Sequence, residues 1–169
     1  MGESFVIGMD LGGTNLRVAG VGAGGGVVEP YREQTLAREG PEPVIERIVA
    51  AIGRVSSRLI AAGGNVRGVV LGAPGIISSR TGTVVASPNL PGWHDVPLRD
   101  RVAAASGLPV LLENDANAAA YGEYWRGAGA GCASMVLLTL GTGVGGGLVL
   151  GAAAVVPDYS RQHRADPED

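Results

Sequence analysis

FVIGMDLGGTNLRVAGV, residues 5–21, runs an apolar stretch into Asp-Leu-Gly-Gly-Thr-Asn and out again into a second apolar stretch. Gly12-Gly13 supplies the freedom that a tight reversal needs, so the segment predicts two successive strands, Phe5 to Met9 and Leu16 to Val21. A third strand, Val27 to Glu33, follows the glycine cluster at 22–26, which makes a meander. From Pro41 or Pro43 the period changes. Val44, Ile48, Ile52, Val55 and Leu59 recur at helical spacing until Gly63-Gly64, which predicts one long amphipathic helix.

GVVLGA, residues 68–73, is a continuous apolar strand of the kind covered on both faces, and Pro74-Gly75 breaks it. Residues 76–96 read as loop-rich. Pro97 opens a short helix with Leu98, Val102 and Ala105 on one face, and Gly107 closes it. A strand at Val110 to Leu112 then leads into a helix from about Ala116 to Arg126. Three strands followed by alternating helices and strands predict an α/β layer with a mixed sheet.

GAGAG, residues 127–131, reads as a hinge or linker. Beyond it SMVLLTL-GTGVGG-GLVLG repeats the opening design of strand, Gly/Thr turn and returning strand about 130 residues later, as a duplicated lobe would. Residues 134–156 carry no charge and are long enough to cross a membrane. Five glycines between 141 and 147 argue against that helix, each costing about 1 kcal/mol relative to alanine. Two strands joined by a glycine turn are expected instead.

At 169 residues the chain suits one domain, or one domain and part of another. A net charge of -3 without a basic cluster gives no reason to expect a nucleic-acid surface. All 13 basic residues are arginine, which excludes the lysine-dependent GxxxxGK[ST] nucleotide loop. A single cysteine, Cys132, excludes an internal disulfide and a cysteine-built zinc site, and it suggests a reducing compartment. No basic leader precedes a long apolar stretch, so a cytoplasmic protein is expected. GxGxxG spacing occurs twice, at 20–25 and 141–146, but no helix with a following acidic residue accompanies it, so a dinucleotide fingerprint is rejected.

Three stretches carry candidate chemistry. In Asp10-Leu11-Gly12-Gly13-Thr14-Asn15 the glycines let backbone N–H groups converge on an anion, while Asp10 can hold Mg²⁺ through water. A plain hairpin with a polar turn fits the same letters. Gly141-Thr142-Gly143-Val144-Gly145 has the same composition. At Glu113-Asn114-Asp115, a strand end meets a helix start, the place where open α/β sheets bind ligands. There Asp115 serves as a proton acceptor or as the helix cap, and Asn114 as a donor to polyol hydroxyls. SPNLPGW, residues 87–93, places Asn89 and Trp93 in what reads locally as a rigid surface turn. Arg99-Asp100-Arg101 reads as a solvated helix face.

IGMDLGGTNLRVAGV, GAPGII, SPNLPGW, ENDANAAAYGE and LGTGVGGGLVL, in this order, resemble the ROK family of repressors, open reading frames and kinases, and within it the bacterial glucokinases. The resemblance spans residues 5 to about 151. It implies an α/β, actin-like, hexokinase-type (ribonuclease H-like) lobe with a mixed five-stranded sheet, plus the first β-hairpin of a second lobe. The implied activity is ATP-dependent phosphorylation of glucose or a related hexose at its 6-hydroxyl, with ATP and Mg²⁺ as cofactors. Asp115 matches the catalytic base, while Gly75, Asn89, Asn114 and Asp115 match sugar-binding positions. Asp10, Gly12, Gly13, Thr14 and Asn15 match the first phosphate loop, with Asp10 toward the metal; Gly141, Thr142, Gly143 and Gly145 match the second. Partners are then a hexose, with no nucleic acid and no membrane, and a homodimer is compatible.

The family pattern continues with a Glu-x-Gly-His segment and a cysteine-rich zinc motif; after Gly151 neither appears here. The expected organisation is therefore a lobe at 1–128, a linker at 129–133, the first hairpin of an incomplete second lobe at 134–151 and an irregular tail at 152–169. Weak activity or none is expected of so short a chain. A sugar-responsive regulator lacking its DNA-binding segment and a non-catalytic sugar-binding remnant are the alternatives.

Overall fold

The structure, a computed structural model, describes residues 2–140, 144–151 and 153–155. β1 (Ser4–Leu11), β2 (Asn15–Gly22) and β3 (Val27–Gln34) form the expected antiparallel meander. A long helix, α1 (Pro41–Ala61), then crosses to β4 (Asn65–Ala73), which lies parallel to β1. A second helix, α2 (Leu98–Ser106), precedes β8 (Val110–Asn114), parallel to β4. The result is a mixed five-stranded sheet in the order β3-β2-β1-β4-β8.

Alternation in β1 sends Phe5, Ile7, Met9 and Leu11 to one side, where they join the buried stripe Val44, Ile48, Ile52, Val55 and Leu59 of α1. Pro41 starts that helix without losing a hydrogen bond. Gly63, at φ 83°, ends it: the N–H of Gly63 donates to Ile60 O and that of Gly64 to Leu59 O, both at 2.9 Å, which satisfies two of the last carbonyls.

Residues 76–96 hold more order than their sequence predicts. β5 (Ile76–Ser78), β6 (Thr83–Ala86) and β7 (His94–Val96) make a small antiparallel sheet. Strands of three or four residues are too short to display a period. Leu90 and Trp93 are completely buried, so the SPNLPGW segment is a core anchor and not a surface turn.

The last described helix, α3 (Asp115–Arg126), lies between two sheets. The second sheet is β9 (Ser134–Leu140), β10 (Val144–Leu150) and a short β11 (Ala153–Val155), which pairs with β10 inside the span expected to be irregular. On one side of α3, a Cβ at Gly72 of β4 would sit 3.7 Å from Ala118 Cβ. On the other, a Cβ at Gly147 of β10 would sit 2.8 Å from the Ala116 carbonyl. Alanines on the helix and glycines on both sheets are thus what let α3 lie so close. The outer face of β9 is uncovered, with Val136 and Leu138 each 68% exposed and Leu140 81%. Among the described residues no helix is long and apolar enough to cross a membrane.

Candidate functional site

Three carboxyl-terminal strand ends, those of β1, β4 and β8, lie side by side: Asp10 is opposite Gly72, and Gly72 is opposite Glu113 in the sheet register. The loops leaving those ends carry the predicted site residues. Around the first turn, the Gly12 N–H donates to Asn15 O at 2.9 Å, leaving Gly13 and Thr14 as a two-residue tip. A Cβ on Gly13 would lie 2.7 Å from the Asn89 carbonyl oxygen, so the first turn and the SPNLPGW loop are in backbone contact. Gly75, at φ 106°, is in a conformation that favours glycine, and a Cβ there would meet Ala86 and Ser87.

The Glu113-Asn114-Asp115 junction divides its labour. Asn114, not Asp115, caps α3: its Oδ1 accepts the N–H groups of Ala116 at 3.0 Å and Asn117 at 3.2 Å. Its Nδ2 donates to Gly75 O at 3.1 Å, which ties the β4–β5 loop to the helix start. One N–H of that amide remains for another acceptor. Glu113 is a strut whose Oε1 accepts from the Asn114 N–H at 2.8 Å and Asn117 Nδ2 at 3.1 Å, while Oε2 accepts from Ser79 Oγ at 3.0 Å. Asp115 is left over. Its only hydrogen bond among the described residues is one from the Ala116 N–H to Oδ1 at 2.9 Å.

Burial pushes the Asp115 carboxyl above the ordinary aspartate range, and the negative charge of Asp10 adds to the rise against the opposing Ala116 N–H. Two aspartates from different strand ends therefore feel each other across one crevice. Asp10 is itself half exposed and accepts from Arg17 Nη1 at 2.8 Å, its cross-strand neighbour on β2. Arg32 Nε donates to Asn15 Oδ1 at 3.1 Å.

A magnesium ion fits this donor set in one manner. No group of three or more His, Cys, Asp or Glu side chains that could hold a metal occurs among the described residues. A lone carboxylate such as Asp10, at the mouth of an N–H-rich turn, suits an ion that keeps most of its water and is shared with phosphate oxygens.

Gly75, Asn89, Asn114, Asp115, Asp10, Gly12, Gly13, Thr14 and Asn15 thus lie on neighbouring strand ends, loops and a helix start at one end of the sheet. Gly145 lies in β10, and a Cβ there would be 3.5 Å from Ala116 Cβ, against the start of α3. Gly141, Thr142 and Gly143 lie outside the described residues. Sequence reasoning missed Ser79, Glu113 as a strut, Asn117 and Thr35. Only Asn117 left a trace, in its four-residue spacing from Glu113 across a helix start.

Comparison with known proteins identifies the family and the fold. A family model described as the ROK family matches residues 6–156. A glucokinase from Thermotoga maritima is 46% identical over 144 residues, covering 85% of this chain and 44% of the relative. The chain therefore spans less than half the length of that protein. Among solved structures, a ROK family glucokinase from Streptomyces griseus in complex with glucose and AMPPNP superposes with a TM-score of 0.80 at 38% identity, over 89% of this chain and 46% of that one. A ROK hexokinase from Thermus thermophilus gives 0.79 at 39% identity, over 89% and 48%. The five-stranded mixed sheet with α3 at its edge is accordingly the actin-like fold of these kinases, and the chain belongs to the ROK family.

Proposed function

We propose that these residues form the sugar-binding lobe of an ATP-dependent hexose kinase, which transfers the γ-phosphoryl group to the 6-hydroxyl of glucose or a close relative. The observation that carries this reading is the placement of Asp10 and Asp115 on either side of Gly72 at one crevice, where a Cβ on Gly72 would lie 3.6 Å from both the Asp115 Cα and the Met9 carbonyl oxygen. A carboxylate with raised proton affinity, held by a cap it does not itself provide, suits a general base for a hydroxyl nucleophile. The Asn114 amide, tied to Gly75, and Asn89, packed on Gly13, would orient sugar hydroxyls beside it. On the other side, the Gly12–Asn15 turn offers N–H donors to a phosphate chain, and Asp10 would hold Mg²⁺ through water. The ion would neutralise charge on the transferring group, a contribution that phosphoryl transfer needs more than covalent help.

In this reading residues 1–128 are the first lobe, 129–133 the linker and 134–151 the opening hairpin of a second lobe. The proposed setting is the cytoplasm. Similarity to glucokinases of up to 46% identity supports glucose as the first hexose to test. These residues by themselves are expected to bind hexose and to turn over weakly, because closure around substrate is what excludes water in such enzymes. Calorimetric titration with glucose, mannose, galactose and N-acetylglucosamine, with and without Mg-ATP, tests the reading. Binding of one hexose, weakened in Asn89→Ala, is the expected result; heat from none of the four would sink it.

A further inference from the structure

Only two polar residues are buried among the described residues, and each braces one side of the crevice: Asn117 holds Glu113, and Thr35 holds the first glycine turn. Thr35, just past the end of β3, is wholly inaccessible. Its Oγ1 donates to the Gly12 carbonyl at 2.6 Å, and its N–H donates to the Thr14 carbonyl at 2.9 Å. Its own carbonyl accepts from Arg47 Nη1 at 3.4 Å, and Arg47 is further held by Glu39. Thr35 is thus a fixed point on α1's side of the sheet and not a swinging side chain.

In a trans peptide unit the carbonyl and the following N–H point in opposite directions, and no cis peptide occurs among the described residues. Drawing the Gly12 carbonyl back toward Thr35 therefore turns the Gly13 N–H away from the core. Holding the Thr14 carbonyl fixes the unit that carries the Asn15 N–H, where the turn enters β2. Neither the Gly13 nor the Thr14 N–H donates to another group among the described residues. We infer that Thr35 is a positioning residue that aims the backbone N–H of Gly13, at the tip of the first turn, at an anionic phosphate chain. This rests on the phosphoryl-transfer reading above. It goes beyond that reading in assigning the orientation of the cradle to a hydroxyl some twenty residues away, in a chain that has no lysine to take the charge.

The experiment uses the full chain, with sodium tripolyphosphate and Mg²⁺ as the probe and backbone amide NMR as the readout. In the parent chain the Gly13 amide should shift on titration. Thr35→Val keeps the shape but removes the hydroxyl, and it should weaken tripolyphosphate binding about tenfold, the equivalent of one lost hydrogen bond to a charged group. Thr35→Ser keeps the hydroxyl and should stay within about twofold of the parent, although it loses a buried methyl and therefore stability. Equal affinity in the Val variant and the parent would overturn the inference, as would a Ser variant as weak as Val. Hexose titration separates the two levels of argument. A parent chain that binds hexose while its Gly13 amide ignores tripolyphosphate overturns the role of Thr35 and leaves the sugar site standing. Tripolyphosphate shifts without hexose binding remove the sugar kinase reading and leave the cradle.

Discussion

Asn114 Nδ2 donates to the carbonyl of Gly75 at 3.1 Å, joining the start of α3 to the loop that leaves β4 across 39 positions of chain. The same side chain caps α3 with its oxygen, so one amide fixes a helix end and a ligand loop together. The two functions draw on opposite ends of the amide group and can be separated by substitution.

Asn114→Ser keeps a cap, since serine serves almost as well as asparagine there, but it cannot reach Gly75. Asn114→Ala loses both. The Ala variant should cost about 2 kcal/mol and the Ser variant about half of that, or roughly 2–4 °C of Tm per kcal/mol in a chain of this size. Thermal unfolding measures both. Hexose affinity should fall in both, because the Gly75 loop is released in either case. A Ser variant with parent-like sugar affinity would remove the tether from the site.

Gly13 is not in the left-handed region, so an alanine there meets no backbone strain. It meets Asn89 instead, whose carbonyl oxygen would lie 2.7 Å from the new Cβ. Leu90 and Trp93 hold the Asn89 loop in the core, so the first turn must give way. Gly13→Ala should weaken both tripolyphosphate and hexose binding, by about tenfold each, by displacing the turn. Gly24→Ala is the control. A Cβ there meets nothing within 4 Å, and stability should change by less than about 0.5 kcal/mol.

Most of the sheet was legible because four of its five strands are eight or nine residues long and its main helix repeats an apolar stripe from Val44 to Leu59. The crevice was legible as composition, in Asp-Leu-Gly-Gly-Thr-Asn and Glu-Asn-Asp, but not as a division of roles. Asn and Asp are equally good caps, so adjacent Asn114 and Asp115 left the cap undecided until the backbone was known. β5, β6 and β7 were hidden by brevity, and the burial of Trp93 by the prolines around it. Thr35 had no signal at all. A threonine in a polar stretch looks like any other until the carbonyl it serves, 23 positions away, is in place.

Glu113 accepts three hydrogen bonds and donates none, which predicts how it tolerates change. In Glu113→Gln the amide oxygen can still accept from the Asn114 N–H and Asn117 Nδ2, while the new NH₂ turns to Ser79 Oγ, which can accept. That variant should stay within about 1 kcal/mol of the parent. Glu113→Ala leaves the buried Asn117 amide and the Ser79 hydroxyl without this partner and should cost about 2–3 kcal/mol. Urea unfolding distinguishes them. Equal losses would mean that the charge, and not the acceptor geometry, holds the junction.

Asp115 makes the stability of the fold depend on pH in a sense opposite to that of a paired surface carboxylate. The N-terminus of α3 and the Ala116 N–H favour the ionised form, but burial outweighs them, and Asp10 adds repulsion. The folded chain therefore keeps the Asp115 proton to a higher pH than the unfolded chain, whose value is near the ordinary 3.8. Between those two values the folded state binds more protons, so this group's contribution to stability falls as pH rises and the penalty is complete above the folded value. Asparagine carries no charge at any pH and can still accept the Ala116 N–H. The unfolding free energy of Asp115→Asn minus that of the parent should thus be smallest at about pH 3 and grow toward neutral pH, to no more than about 1 kcal/mol because the carboxyl is only half buried. Removing the neighbouring charge in Asp10→Asn should shrink that growth. Scanning calorimetry across the pH series reads the difference directly, and a difference that stays flat or narrows with rising pH would mean that Asp115 is an ordinary helix-start carboxylate with no raised proton affinity to offer a sugar hydroxyl.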